Sequence, residues 1–154
     1  MRDGSGMGRI NYARVVAGGI LAGSIYFLAD AVIHGAFLGG EHVAAIAGAG
    51  KPLGHDRSAY AYFLAFDLGK GLVAVLVYAA ARPRFGPGVR TAIWAGIIAW
   101  FSSEALPQIA AMPLPFYPKS FHWKWIGLEL LPMAGGAVLG TWVYNEPSAA
   151  DGKP

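Results

Sequence analysis

Four apolar runs divide this chain, at residues 15–38, 58–81, 91–112 and 125–144, and each carries one carboxylate: Asp30, Asp67, Glu104 and Glu129. Runs of roughly 20 apolar residues match the ~30 Å hydrocarbon core of a bilayer. An ionised side chain inside such a run costs several kcal/mol and is normally eliminated or given a role. These four are four of only nine acidic residues in the protein, so the pattern demands a fold that turns all of them away from lipid. With 55% hydrophobic and 14% charged residues, the composition also lies outside the soluble range. The expected fold is all-α: a polytopic membrane protein with a four-helix transmembrane bundle made of two hairpins. A cytoplasmic segment over 1–14 leads into a transmembrane domain over 15–145, followed by a disordered cytoplasmic tail over 146–154. The hairpins are divided at Arg82-Pro83-Arg84-Phe85-Gly86-Pro87-Gly88.

Charge sets the orientation. Arg2, Arg9 and Arg14 precede the first run and Arg82, Arg84 and Arg90 crowd the central loop, whereas the two longer loops hold Lys51, Arg57, Lys119 and Lys124. An excess of arginine marks the cytoplasmic side, so both termini are expected inside, in a bacterial inner membrane. The net charge of +3 is thus a topological signal and not a sign of nucleic-acid binding. The first run extends well past the length of a signal-peptide core and is read as a retained helix. There is no cysteine, which removes thiolate metal sites, disulfides and cysteine nucleophiles.

Depth follows from the helical rise of about 1.5 Å per residue. Asp30 lies sixteen positions after Arg14, Asp67 fifteen before Arg82, Glu104 fourteen after Arg90 and Glu129 sixteen before Asn145. The four acids therefore fall in one layer, roughly 21 to 24 Å from the inner boundary, with Lys70 about a turn deeper and His34 about a turn further out. Facing follows from the 3.6-residue period. Gly19, Gly23, Asp30 and His34 share one stripe; Asp67, Gly71 and Ala74 share another; Glu129, Gly136 and Gly140 share a third. Small residues at these spacings let membrane helices approach, so the acids point inward. The third run lacks such support, because Ile97, Trp100, Phe101, Glu104 and Gln108 share its acid-bearing face. Pro107 and Pro132 each remove a backbone donor and free the carbonyl one residue before Glu104 and Glu129.

The site expected from these residues is Asp30, His34, Asp67, Lys70, Glu104 and Glu129, holding a proton, a cation or a small polar ligand. As a metal site its ligands would be Asp30, His34, Glu104 and Glu129, although only one acid–histidine pair has i, i+4 spacing and Lys70 competes for the acids. As a proton or ion relay, acids sharing a low-dielectric space hold protons near neutral pH, and so short a chain would need to assemble into a homo-oligomer to transport. The competing reading is structural: Lys70 neutralises acids, His34 bonds Asp30, and the chain serves as a non-enzymatic accessory subunit of a larger membrane complex, docking through its glycine-rich faces. His42 and His55 lie in the first outer loop. Phe116, Tyr117, Phe121, Trp123 and Trp125 read as ordinary interfacial anchors around the second. Ser102 and Ser103 have no histidine nearby in sequence, and no catalytic residue or cofactor is indicated.

Three stretches carry a resemblance: Ile10-Asn11-Tyr12-Ala13-Arg14-Val15-Val16-Ala17-Gly18-Gly19, the central Tyr78-Ala79-Ala80-Ala81-Arg82-Pro83-Arg84-Phe85-Gly86-Pro87-Gly88, and Gly140-Thr141-Trp142-Val143-Tyr144. The chain resembles a group of small, uncharacterised bacterial four-helix integral membrane proteins. The resemblance implies an integral membrane location and no known activity, and it transfers no site residue.

Overall fold

A computed structural model describes residues 10–48 and 58–144; Arg2, Arg9, Lys51, His55, Arg57, Asn145 and the expected tail over 146–154 lie outside them. Among the described residues every regular element is helical. Helix α1 (Tyr12–Val32) continues into a π turn, Ile33–Phe37, and a short α2 (Gly39–Gly48) follows. Helix α3 runs over Ser58–Phe85; α4 (Val89–Trp100), a second π turn (Phe101–Ala105) and α5 (Leu106–Ala111) form one continuous run; α6 covers Lys119–Trp142.

Local chemistry explains the ends. The Asn11 side chain accepts from the Arg14 backbone N–H at 3.1 Å and caps α1. Helix α3 outruns its expected end, taking Arg82, Pro83 and Arg84 into its last turn. It stops where Gly86 and Gly88 adopt φ of 82° and 127°, backbone that favours glycine. Helix α6 starts at Lys119, so Phe121, Trp123, Lys124 and Trp125, read from sequence as part of an outer loop, are helical.

Helix α1 packs closely along α3, α6 lies against both α1 and α4, and α4 meets α3. Backbone contact at glycine sets these approaches. A Cβ on Gly23 would stand 2.5 Å from the Leu68 Cα, and one on Gly19 would stand 2.8 Å from the Leu72 Cα. A Cβ on Gly140 would stand 2.6 Å from the Gly18 carbonyl oxygen, and one on Gly96 2.7 Å from the Met133 carbonyl oxygen. The third run also has a small-residue face that the sequence reading overlooked, since Ala92, Ala95, Gly96 and Ala99 are all buried. Two clips lock the interfaces: the Tyr26 hydroxyl donates to the Met133 carbonyl and the Trp100 indole N–H to the Ile126 carbonyl, both at 3.0 Å.

Two helical stretches, Tyr12–Phe37 and Ser58–Phe85, are long and apolar enough to cross a membrane. Helix α4 is only 12 residues long before its π turn, and α6, with 24 residues, carries Lys119, Lys124 and Glu129 among several glycines. Yet all the long helices expose large apolar side chains, including Leu28 and Val32 on α1, Phe63 and Val73 on α3, Trp94 and Ile98 on α4, and Leu131 on α6, while Asp67, Lys70, Glu104, His122 and Glu129 are buried. Buried charge thus lies beside an apolar core, under a surface rich in large apolar side chains.

The two ends differ in character. At one, the Asn11 amide donates to the Tyr144 hydroxyl, the Gly88 amide donates to the Tyr78 hydroxyl, and Arg82 stacks over the Tyr144 ring. At the other, His42, Tyr117 and Phe121 make edge and stacked ring contacts, and Lys124 pairs with Glu41 at 2.6 Å.

Candidate functional site

The glycine contact between α1 and α3 is what assembles the site. Gly23 sits against the Asp67 carbonyl, and Gly71 fits against Gly19 and Gly23. Two helical turns beyond Gly23, Asp30 is thereby carried to the residue preceding Gly71, which is Lys70. The Lys70 Nζ lies 2.7 Å from Asp67 Oδ1, 2.8 Å from Glu104 Oε1 and 3.2 Å from Asp30 Oδ2. The rings of Phe66 and Tyr26 face the same ammonium at 5.1 and 5.9 Å. One cation thus meets three carboxylates from three elements, with Lys70 itself only 4% exposed.

Glu104 is further held by the Trp125 indole N–H, which donates to Oε2 at 2.9 Å. Sequence reasoning treated Trp125 as a membrane anchor, and the structure makes it a partner of the acid centre. Glu104 sits within the π turn Phe101–Ala105 and His34 within the π turn Ile33–Phe37. A π turn adds one residue to the helical repeat and re-aims the side chains at that point, and such turns occur frequently at functional sites.

The fourth acid stands apart from the ammonium. Glu129 is 1% exposed, and among the described residues no N–H or O–H donor reaches either of its oxygens or Asp30 Oδ1. Glu129 Oε1 faces His34 Nε2 at 4.0 Å, too long for a hydrogen bond. One ligand-capable atom from each of Asp30, His34 and Glu129 lies within 4.8 Å of the other two. The expected metal set therefore loses Glu104, which is taken up by Lys70 and Trp125, and retains the other three.

The His34 ring is held from behind. Its Nδ1 pairs with His42 Nε2 at 2.9 Å, and His42 Nδ1 pairs with the Tyr117 hydroxyl at 3.0 Å. His34 does not bond Asp30 as the structural reading expected. Trp125 packs edge-on to the His34 ring with centroids 4.2 Å apart. Outside the long helices, burial holds the His42 imidazole below its usual value, with Glu41 pulling the other way. A neutral His42 has one N–H and one lone pair, which is what a relay between His34 and Tyr117 requires.

A second polar pair, His122 Nδ1 with Gln108 Oε1 at 2.6 Å, joins α6 to α5, and His122 Nε2 has no partner. Ser102 and Ser103 donate to carbonyls of their own helix, and the Ser103 hydroxyl also lies 3.5 Å from Glu104 Oε1. Two cavities open elsewhere: one of about 420 Å³ is lined by Val77, Arg90 and Trp94, and one of about 490 Å³ by Phe37, Trp123 and Leu128. Neither touches the acid centre, whose side chains pack on one another.

Comparison of the chain with known protein families, curated proteins and solved structures finds no match, so the site is read from its own chemistry.

Proposed function

We propose that the chain is a multi-pass protein of a bacterial inner membrane, with four spanning segments in two hairpins, and that its buried acidic centre binds a cation within the bilayer. The observation that carries this reading is the mismatch at the centre: three carboxylates from three helical runs converge on a single ammonium, and the buried Glu129 of a fourth run faces only the His34 ring, at 4.0 Å. With every acid ionised and His34 neutral, three negative charges go unbalanced in a medium where an unpaired ion costs several kcal/mol. Bound protons, a metal ion, or both together reduce that imbalance. The packed geometry suits an ion better than a small organic ligand.

The apolar exterior of α4 and α6 supports spans there as well as along α1 and α3, and the resemblance to bacterial membrane proteins points the same way. Both termini and the turn at Gly86–Gly88 belong to the basic, cytoplasmic end, and the ring-rich end around His42 and Tyr117 faces outward. The native chain lacks cysteine, so single replacements report cleanly. Leu114→Cys is expected to react with an impermeant thiol reagent on intact cells, and Phe85→Cys only after permeabilisation. Labelling of Phe85→Cys from outside would overturn the topology.

The cation reading is tested by infrared spectroscopy on the purified chain in lipid, stripped of metal at neutral pH. A protonated-carboxyl band is expected, and Asp30→Asn combined with Glu129→Gln is expected to abolish it. Four fully ionised carboxylates in metal-free protein would rule the reading out. The alternative of an accessory subunit docking through glycine faces has less to work with, since Gly18, Gly19, Gly23, Gly71, Gly96, Gly136 and Gly140 are all in contact within the chain itself.

A further inference from the structure

The acid centre has two halves of different chemistry. In one, Lys70 supplies positive charge to Asp67, Glu104 and Asp30 Oδ2. In the other, Asp30 Oδ1 and both Glu129 oxygens are buried acceptors without a donor, and they face the imidazole of His34. We propose that Asp30, His34 and Glu129 form a binding site for one divalent first-row transition metal ion, with His42 as the positioning residue that aims His34 at it. The proposal rests on the cation reading above and names the ion class.

Three observations converge on it. The first is the clustering of one donor atom from each residue within 4.8 Å. Ligands 2.0–2.2 Å from a shared ion stand roughly 3 to 4 Å apart, so loading draws these side chains inward by about an ångström or less. The second is Glu129: its carboxylate is 1% exposed, receives no N–H or O–H donor among the described residues and faces a histidine, a setting that a cation would satisfy. The third is the outer support of His34. A metal-bound imidazole almost always gives its second ring N–H to an acceptor, which fixes the tautomer. His34 has that acceptor in His42 Nε2, and His42 in turn has the Tyr117 hydroxyl. With Nδ1–H donated to His42, the Nε2 lone pair points toward Glu129, an arrangement that repels a carboxylate in the absence of a cation and binds one in its presence.

Ligand chemistry selects the ion. One imidazole nitrogen with two carboxylates suits Zn²⁺, Fe²⁺ or Mn²⁺; the absence of thiolate disfavours Cu⁺, and the nitrogen disfavours Ca²⁺ and Mg²⁺. Two carboxylates also match the charge of a divalent ion. Lys70, which would repel a metal at Asp67 or Glu104, also reaches Asp30 Oδ2 at 3.2 Å, so the ion would be taken on Asp30 Oδ1, the oxygen that Lys70 does not hold.

The test uses the full chain, purified without a histidine tag into lipid nanodiscs and stripped with chelator. Titration with Co²⁺ is expected to give visible ligand-field bands that saturate at one ion per chain and are displaced by Zn²⁺. X-ray absorption of the zinc form is expected to show one imidazole among oxygen ligands. Glu129→Gln and His34→Gln should each weaken Co²⁺ binding by at least a hundred-fold, and His42→Phe by roughly ten- to a hundred-fold, the range typical of outer-shell partners. Glu41→Gln, on the same helix α2 as His42 but paired outward with Lys124, should bind as the native chain does. If Glu129→Gln fails to fold, His42→Phe carries the test, because its effect on metal affinity with an unchanged metal-free melting temperature has no structural explanation. Absence of stoichiometric Co²⁺ binding, or equal binding by His34→Gln, overturns the site. When the carboxyl infrared band persists in that case, the cation centre survives with the proton as its ion; when the band is also missing, both readings fall.

Discussion

Lys70→Met is expected to be the most damaging single change at the acid centre, lowering stability by about 3–5 kcal/mol or preventing folding in lipid. The Lys70 Nζ is the common partner of Asp67, Glu104 and Asp30, at 2.7, 2.8 and 3.2 Å. Removing it leaves three carboxylates facing one another in a buried space with no cation between them, and methionine offers only the volume. A second replacement should therefore restore much of the loss. Lys70→Met with Glu104→Gln keeps an oxygen for the Trp125 N–H, which now bonds Oε2 at 2.9 Å, and removes one of the stranded charges. Glu104→Gln alone is expected to cost less than Lys70→Met, on the order of 1–3 kcal/mol, because an amide still accepts from Trp125. Melting temperatures in nanodiscs, read by intrinsic fluorescence, measure all three. Equal melting of Lys70→Met and the native chain would show that Lys70 does not neutralise the centre.

Convergence of the acids was legible in the sequence because two independent periodicities agreed. The count from basic anchors placed Asp30, Asp67, Glu104 and Glu129 at one depth, and the glycine stripes turned three of them inward. Both arguments depend on helices of regular rise and period. The partners in the outer half were not legible. His42 reaches His34 across a turn whose conformation no spacing rule specifies, and Tyr117 reaches His42 over 75 positions of sequence. Trp125 looked like an interfacial anchor because an indole near a helix end in a membrane protein normally is one; its N–H gave no sign of reaching Glu104. The π turns were hidden as well. Pro107 marks a disturbed ladder beside Glu104, but nothing similar announces the turn that carries His34. The small face of the third run is not marked by its acid: the helix packs Ala92, Ala95, Gly96 and Ala99 on a different stripe from Glu104, and the π turn brings the acid round to the interior.

Gly71→Val is expected to abolish the native packing of α1 on α3 and with it the whole centre. Helix α3 meets α1 through backbone at this point: a Cβ on Gly71 would collide with the Gly19 carbonyl oxygen and the Gly23 amide nitrogen and stand 2.8 Å from the Gly23 Cα. None of these atoms belongs to a flexible side chain, so relief requires the helices to separate. Separation removes Lys70, the preceding residue, from Asp30, and opens the core in which Ala74 is fully buried. The expected loss exceeds the ~4 kcal/mol that marks an exceptional single substitution. Gly69→Ala and Gly135→Ala provide the contrast, for both positions are helical and a Cβ at either meets nothing within 4 Å. Each should be neutral or stabilising by up to about 1 kcal/mol, the helix preference of alanine over glycine. Size-exclusion profiles and unfolding in graded sodium dodecyl sulfate separate the two classes of variant. A Gly71→Val protein that stays monodisperse and unfolds with the native midpoint would mean that α1 and α3 do not touch as described, and the acid centre, which depends on that contact for its assembly, would have to be abandoned with it.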